Sequence, residues 1–372
     1  CVWCNAHLPP LREVSTCSLG EVQGGQMTKL RLAVVSTPIF RLPVAGYSGL
    51  EHLAWLRAKG LAELGHEVTL FAPDHSVCPG VTVWPVGEAG KTSEEQAYSR
   101  YWKTLKDFDA IVDDSWQAWT AMGRMEGWLK APVLKICHAP IDTMYRTLPP
   151  EKVLSFVCIS DDQRMHFEAL YAPRQARTCH NGLDLDFYKS TGCPRSGRFL
   201  FLARFSSIKG PDLAIEACKK VGAGLDLIGD TTITGEPELL QKCFAMADEE
   251  QIRIWGNQTR AETVHWHSQA HCLLHPNMRF REPFGLSPIE SMGCGTPVIA
   301  FDFGAMRETV KHGETGWLVK TMDEFTAKVK ELSGPIPDEV RKRCRDWASN
   351  FSVERMIRRY EELIGEAIQN PW

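Results

Sequence analysis

Residues 281–300 read REPFGLSPIESMGCGTPVIA, a turn followed by a helix and then by a buried strand. Gly285 lets the backbone come close to a ligand. The peptide amides of Phe284, Gly285 and Leu286 are expected at the N-terminus of the helix. Such amides, together with the helix dipole, favour an anion. The stretch therefore predicts a helix-and-strand fold with a site for an anion such as a diphosphate.

Two carboxylates bracket this turn. Glu290 lies four residues after Leu286 and so one helical turn further along the same face. It can accept two hydrogen bonds from adjacent ribose hydroxyls, and Glu282 would face a sugar. Either residue alone would be interpreted as a helix cap or a solvated carboxylate. Their spacing, with Pro-Phe-Gly between them and Gly-Thr-Pro-Val-Ile after them, favours a binding site.

Short β-branched runs alternate with helical patterns on both sides of this stretch, which predicts parallel sheets covered by helices. The strands expected in the first half are 30–36, 66–72, 81–86, 110–112, 133–137, 154–159 and 176–180. The pattern restarts with strands at 198–203, 225–228, 252–254, 272–274, 297–300 and 316–319. The fold class is thus α/β, with two Rossmann-like, doubly wound domains that face each other across a cleft.

The predicted boundaries follow this repetition. Residues 1–26 are expected to be a disordered N-terminal extension. Residues 27–190 form the first domain and 191–350 the second, joined by a turn-rich linker at 189–197. A last amphipathic helix, 353–368, is expected to pack back on the first domain.

Composition excludes some partners. A net charge of −4 gives no basic footprint for nucleic acid, although a local basic patch for peripheral membrane contact stays open. The thirteen cysteines are scattered singly, which favours a reduced, cytoplasmic protein. A zinc cluster of Cys1, Cys4, His7 and Cys17 is the weaker interpretation of the N-terminal segment, because its spacing is irregular.

A second pair of candidate residues, Arg204 and Lys209, follows the first strand of the second half. Two cations spaced around a turn can neutralise a diphosphate and stabilise the charge that grows on a leaving group. As isolated residues they would be interpreted as solvated surface charges.

The 282–290 segment resembles the Glu-(seven residues)-Glu motif of retaining glycosyltransferases of the GT-B fold, family 4. The resemblance covers nearly all of residues 29–368. It includes the glycine-rich loop 43–51, strand 64–73, segment 180–187 and segments 304–308 and 312–316.

This resemblance implies a retaining hexosyltransferase that uses a nucleoside-diphosphate sugar, without a metal or another cofactor. It implies that Arg204 and Lys209 hold the donor diphosphate and that His138 lies near the donor sugar. Gly46 and Gly49 would let the first loop approach the sugar and the phosphates. The acceptor would be a sugar, a glycolipid or a small molecule.

The sequence departs from the family at Asp113-Asp114-Ser115, where relatives carry His-Asp-His. This face is expected to meet the acceptor. Trp116 and Trp119 follow directly, and core packing or a lid is favoured for them over stacking on an acceptor.

Two alternatives stay open. One is a phosphorylase, an epimerase or a non-catalytic sugar-nucleotide-binding module on the same scaffold. The other is a dinucleotide-dependent oxidoreductase, which the first loop disfavours because it lacks a tight G-x-G-x-x-G turn.

Overall fold

The computed structural model describes residues 28–46, 48–141, 148–231 and 235–372. The N-terminal extension, with Cys1, Cys4, His7 and Cys17, lies outside these residues. Ten cysteines lie within the described residues, and all ten are free thiols. None of the helices in the described ranges is long and apolar enough to cross a membrane.

The first half of the chain forms one parallel sheet of seven strands in the order β3-β2-β1-β4-β5-β6-β7. Strands β1 and β4–β6 are almost entirely buried, which is why they are apolar runs without alternation. The strands are β1 Arg31–Val35, β2 Glu67–Ala72, β3 Thr82–Pro85, β4 Ala110–Asp113, β5 Val133–Cys137, β6 Ser155–Cys158 and β7 Ala176–Thr178. The helices are α1 Gly49–Glu63, α2 Glu94–Tyr101, α3 Ala121–Met125 and α4 Asp161–Tyr171, with a 3₁₀ helix at Trp102–Asp107.

The second half forms a parallel sheet of six strands in the order β10-β9-β8-β11-β12-β13. Its strands are β8 Phe199–Leu202, β9 Leu225–Ile228, β10 Ile252–Trp255, β11 Leu273–His275, β12 Val298–Phe301 and β13 Gly316–Val319. Its helices are α5 Pro211–Val221, α6 Pro237–Met246, α7 Arg260–Gln269, α8 Leu286–Gly293, α9 Met306–Thr309, α10 Met322–Glu331 and α11 Asp338–Ala348. The predicted class, two doubly wound α/β domains, is confirmed.

Strand order reverses between β1 and β4 in the first sheet and between β8 and β11 in the second. Ligands of open α/β sheets bind in the crevice outside the carboxyl ends of the strands at such switch points. Asp114 follows β4, Ala203 follows β8, and His275 ends β11. The topology therefore brings these residues to the two edges that border the cleft.

The last helix, α12 (Val353–Gln369), follows a 3₁₀ turn at Ser349–Phe351 and packs against α1 of the first domain. The approach is close, because a Cβ atom on Gly60 would lie 2.4 Å from Cγ1 of Ile357. Beyond the helix, the indole of Trp372 donates a hydrogen bond of 3.0 Å to the carbonyl of Phe156 in β6. The chain thus returns to the first domain after completing the second.

The two domains also touch directly beside the cleft. The amides of Asp161 and Asp162, at the start of α4, donate to the two carboxylate oxygens of Glu308 in α9, at 2.8 and 2.6 Å. Arg281 makes a bidentate ion pair with Asp162, at 2.8 and 2.6 Å. Glu308 thereby caps a helix of the other domain, and this contact fixes one side of the cleft.

Candidate functional site

Two helix N-termini face each other across the cleft. Helix α1 begins at Gly49 and α8 at Leu286, and a Cβ atom on Gly49 would lie 2.8 Å from Cδ1 of Leu286. Neither helix has a side-chain hydrogen bond from its N-cap residue, Ser48 or Gly285. Gly285 has a φ of +82°, the left-handed region that favours glycine. The starts of two helices, one from each domain and neither capped by the side chain of its N-cap residue, therefore border one cavity, which is the arrangement that the anion-site prediction expects.

The cavity contains the candidate catalytic carboxylate, Glu282. Its Oε2 accepts hydrogen bonds from Nζ of Lys209 at 2.5 Å and from Nδ2 of Asn277 at 2.7 Å. Burial is the largest single effect and would raise the pKa of Glu282, but Lys209, His275 and Asn277 together outweigh it and the pKa lies below its ordinary value. Glu282 is therefore an ionised carboxylate enclosed within the site.

The backbone of Glu282 is supported by the loop after β12. The carbonyl of Glu282 accepts a hydrogen bond of 3.0 Å from the amide of Ala305. Gly304 has a φ of +65°, and a Cβ atom there would lie 2.7 Å from the carbonyl oxygen of Glu282. Only glycine allows both this conformation and this contact.

Gly304→Ala should lower the free energy of unfolding by about 2–4 kcal/mol, because it adds a clash with the Glu282 backbone to the strain of a left-handed alanine. Gly313 is a matched control, since it has a φ of +79° and open space around the missing Cβ. Gly313→Ala should cost only about 1 kcal/mol. Urea unfolding of the two variants measures the difference, and equal losses would contradict the proposed contact.

Seven of the predicted site residues border this main cavity. They are Gly49, His138, Lys209, Glu282, Phe284, Gly285 and Leu286. Arg204 lines an adjoining, smaller cavity together with Gly229, Asn257 and Thr263, and the two cavities share Leu202 and Ala203. Gly46 faces this second region, because a Cβ atom there would lie 3.8 Å from Nδ2 of Asn257.

Glu290 lines a third cavity with His52 and Arg260, and this cavity shares Gly49 and Leu286 with the main one. Its Oε1 accepts a hydrogen bond of 2.8 Å from the hydroxyl of Tyr188. Burial would raise the pKa of Glu290, but His267, whose Nε2 lies 3.7 Å from Oε2, together with Arg260 and the hydroxyl of Tyr188, lowers it below its ordinary value. Tyr188 and Arg260 escaped the sequence analysis because they lie 102 and 30 positions away from Glu290.

Polar atoms without partners also point to a ligand. Nε2 of His275, Oδ1 of Asn181 and Oγ of Ser287 are buried at the main cavity and have no hydrogen-bond partner within the described parts of the chain. Buried polar groups in native proteins are almost always hydrogen-bonded. A polar ligand in the cavity would satisfy them.

His275 is the site residue that the sequence analysis missed most clearly. Its Nε2 lies 3.8 Å from Oε2 of Glu282, and burial lowers its pKa to about 4. The ring is therefore neutral at pH 7, beside Glu282 and Lys209. Its sequence context, the end of an apolar strand, resembles that of an ordinary core histidine.

The lowered pKa of His275 predicts acid sensitivity. Between pH 6.5 and about 4 the unfolded chain binds a proton that the folded chain does not, so stability falls as the pH falls. The free energy of unfolding of His275→Gln should be compared with that of the unaltered chain at pH 7 and at pH 4.5. Between these two pH values the difference should shift by about 2–3 kcal/mol in favour of the variant. Denaturant unfolding at both pH values measures this. An unchanged difference would show that His275 titrates normally.

His138 follows β5 and lines the cavity, where the resemblance implies it. Its Nε2 lies 2.7 Å from Oδ1 of Asp114. This face is expected to meet the acceptor, but the side chains of Asp113 and Asp114 are not available for that contact, because both are completely buried and bond inward. Asp113 accepts from Ser115 at 2.5 Å and also from Thr120, and Asp114 pairs with Arg57 of α1.

The two tryptophans after these aspartates differ in role. Trp116 lines the main cavity and is 39% exposed, which leaves its ring accessible to a ligand. Trp119 stacks on Tyr98 with ring centroids 6.2 Å apart and donates to Gln117. The preferred interpretation, core packing or a lid, thus fits Trp119 as packing and Trp116 as part of the cavity wall.

Among the described residues, the only cluster with metal-ligand geometry is Asp161, His180 and Glu308. Its members bond to one another and to the protein. His180 lies 2.8 Å from Glu308, whose oxygens also accept from two amides, and Asp161 accepts from Thr178 at 2.7 Å. The cluster therefore functions as an interdomain contact.

The fold is shared with solved structures. Two parallel sheets of this order, facing across a cleft, are the GT-B fold of glycosyltransferases. Sucrose-phosphate synthase from Thermosynechococcus elongatus superposes with a TM-score of 0.76 at 17% identity, covering 92% of this chain and 100% of that one. AviGT4, a glycosyltransferase involved in avilamycin A biosynthesis, has a TM-score of 0.70 at 23% identity, covering 92% and 98%.

The sequence comparison identifies the family of the second domain. Residues 194–350 match the family model described as glycosyl transferases group 1, which bears out the resemblance over this part of the chain. D-inositol 3-phosphate glycosyltransferase 1 of Catenulispora acidiphila is 30% identical over 230 residues, 53% of this chain and 54% of the relative. The chain thus spans about half the length of the curated relatives it matches most strongly.

Proposed function

We propose that this protein is a retaining, metal-independent hexosyltransferase that moves a sugar from a nucleoside-diphosphate sugar to an acceptor hydroxyl. The single observation that carries the proposal is the largely buried Lys209–Glu282 ion pair just before the N-terminus of α8, which faces the N-terminus of α1. Cations and free amides at this position suit a diphosphate, and an ionised carboxylate suits a sugar that develops positive charge.

The three adjoining cavities match the parts of such a donor. The main cavity, with Glu282 and His138, would hold the transferred sugar, and Lys209 would reach the diphosphate. Glu290 and its cavity would hold the ribose. The base would lie near Asn257 and Gln258, on the cavity that Arg204 lines.

In this proposal the protein accelerates transfer by stabilising the charges that develop in the transition state. As the bond between the anomeric carbon and the phosphate oxygen breaks, negative charge grows on the diphosphate, and Lys209, Arg204 and the amides of both helices stabilise it. Glu282 stabilises the oxocarbenium-like sugar on the other side. The leaving diphosphate takes the proton of the acceptor hydroxyl, which attacks from the same face, so the anomeric configuration is retained.

Structures of HepE from Anabaena, which share this fold (TM-score 0.68, 16–18% identity), contain UDP, UDP-glucose, or UDP with glucose. These ligands support a uridine nucleotide as the first donor to test here. The name of the Catenulispora relative likewise supports a phosphorylated polyol among the first acceptors.

A thermal-shift panel of UDP, GDP, ADP and their sugars tests the proposal. One nucleotide sugar present at 100 times its dissociation constant should add about 2.7 kcal/mol of stability. Incubation of that sugar with an acceptor panel, followed by proton NMR of the anomeric signal, should show product with the configuration of the donor. Binding without transfer would favour a sugar-nucleotide-binding module, and transfer only with free phosphate a phosphorylase.

A further inference from the structure

A buried chain of polar and charged side chains runs from the main cavity to the C-terminal helix. Nε2 of His138 lies 2.7 Å from Oδ1 of Asp114. Nη1 of Arg57 donates to both oxygens of Asp114, at 2.7 and 2.5 Å. Nη2 of Arg57 donates to the hydroxyl of Tyr360 in α12 at 3.2 Å, and the guanidinium lies 4.2 Å from the centre of that ring. Four side chains distant in sequence thus hold one another in place.

The charge state of Asp114 follows from its partners. Arg57 and Asp114 are both completely buried, and a buried guanidinium remains charged. A neutral aspartic acid beside it would leave that charge without a counter-ion, at a large cost. Burial is the largest single effect and would raise the pKa of Asp114, but Arg57, His138 and Lys135 together outweigh it and the pKa is lowered. Asp114 is therefore a carboxylate, which can only accept hydrogen bonds.

An accepting Asp114 determines which nitrogen of His138 carries the proton. The nitrogen that faces the carboxylate, Nε2, must be the donor. Burial lowers the pKa of His138 despite the opposing effect of Asp114, so the ring is neutral at pH 7. A neutral imidazole with its proton on Nε2 has a lone pair on Nδ1.

We propose that Arg57 and Asp114 are positioning residues that fix His138 as the Nε2–H tautomer, so that Nδ1 accepts a hydrogen bond from a hydroxyl of the transferred sugar. The ring lines the main cavity, and the assignment of the hydroxyl to a sugar rests on the proposed function. His138 would then select for a hydroxyl that donates at that position. Asp114 aligns with the central aspartate of the His-Asp-His sequence, and its ion pair with the buried Arg57 is the contact on which the inference rests.

The tautomer can be measured without any assay of activity. Nitrogen-15 NMR of the full chain, with His138 assigned by comparison with His138→Gln, distinguishes protonated from unprotonated ring nitrogens. At pH 7.5 the expected result is a protonated Nε2 and an unprotonated Nδ1. A protonated Nδ1, or a ring protonated on both nitrogens, would overturn the proposal.

Asp114→Asn tests the positioning role. The carbonyl of the new amide should stay with Arg57, so its NH₂ group would face Nε2 and move the ring proton to Nδ1. The matched control is Asp113→Asn, which changes the neighbouring buried aspartate that bonds Ser115 and Thr120. The control should keep the Nε2–H tautomer. A proton that stays on Nε2 in Asp114→Asn, or leaves it in Asp113→Asn, would count against the role of Asp114.

Fluorinated donors link the tautomer to turnover, because fluorine replaces a hydroxyl but cannot donate. A panel of monofluoro analogues of the accepted donor should contain one position at which kcat/KM falls about 10-fold, the loss of one buried hydrogen bond. In Asp114→Asn the values of kcat/KM for the parent donor and for this fluoro analogue should lie within about 3-fold of each other. The reason is that a protonated Nδ1 no longer accepts a hydrogen bond from the sugar hydroxyl. An unchanged ratio would overturn the proposal.

The possible failures are separable. Absence of turnover with every nucleotide sugar would count against the proposed function and leave the tautomer result standing. Turnover together with a protonated Nδ1 would count against this inference alone. If Asp114→Asn does not fold, the nitrogen-15 spectrum of the unaltered chain still shows which ring nitrogen of His138 carries the proton.

Discussion

Glu282→Gln should reduce kcat about 100- to 1000-fold, while the dissociation constant of the donor changes by less than about 3-fold. The amide keeps the size of the side chain and can still bond to Lys209 and Asn277, which contact Oε2 in the unaltered chain. It loses the negative charge that favours a positively charged transition state over the neutral donor. Steady-state kinetics and calorimetric titration of the donor separate the two effects.

Glu290→Gln is the comparison for this result. Its carboxylate is also buried and ionised, but it lies within α8, one turn after Leu286, and is bonded to Tyr188. If it binds the ribose, the variant should weaken donor binding about 10-fold and change kcat little, because the ribose bonds are the same in the ground and transition states. Full turnover by Glu282→Gln, or a loss of kcat confined to Glu290→Gln, would refute the assigned roles.

Lys209→Met should have the second large effect, and it should act on both binding and turnover. The ammonium has three donors and gives one to Glu282, so it can also bond to a phosphate oxygen. Loss of a charge-assisted bond should weaken donor binding about 10- to 100-fold. Loss of the fixed positive charge beside the leaving group should reduce kcat a further 100-fold or so.

Lys242→Met controls for the loss of a lysine elsewhere in the second domain. Lys242 pairs with Asp212 at 3.1 Å and its side chain is about half exposed, so it has no part in the cleft. Its variant should retain the kinetics of the unaltered chain. A Lys209→Met protein with an unchanged dissociation constant for the donor would show that the lysine serves only to neutralise Glu282.

Much of the fold could be predicted from sequence, because parallel strands buried on both faces appear as short apolar runs between helical patterns. Strand β5 was predicted at its observed bounds, Val133–Cys137, and β4 within one residue. The short helices α3 and α9, of five and four residues, were not predicted. Helices of that length contain too few turns to produce a periodic pattern.

The site was predictable only where its residues are close in sequence. Glu282, Glu290 and the amides between them belong to one turn and one helix, and the structure places them beside the cleft. The burial of Asp114 was not predictable, because its partner Arg57 lies 57 positions away and Tyr360, which bonds to Arg57, lies a further 303 positions from that arginine. A pair of aspartates after a strand indicates a ligand site unless a buried cation is known to approach it. That cation becomes visible only when α1 and α12 are packed.

The most direct test of the central claim is a crystal structure with an accepted nucleotide sugar bound. The account predicts a diphosphate in the cleft, with its oxygens within about 3.2 Å of Nζ of Lys209 and of amides at the starts of α1 and α8. The ribose hydroxyls should bond to Glu290, and Arg204 should reach the nucleotide from the adjoining cavity. A nucleotide bound elsewhere, or a cleft occupied without contact to Lys209 or Arg204, would contradict the account.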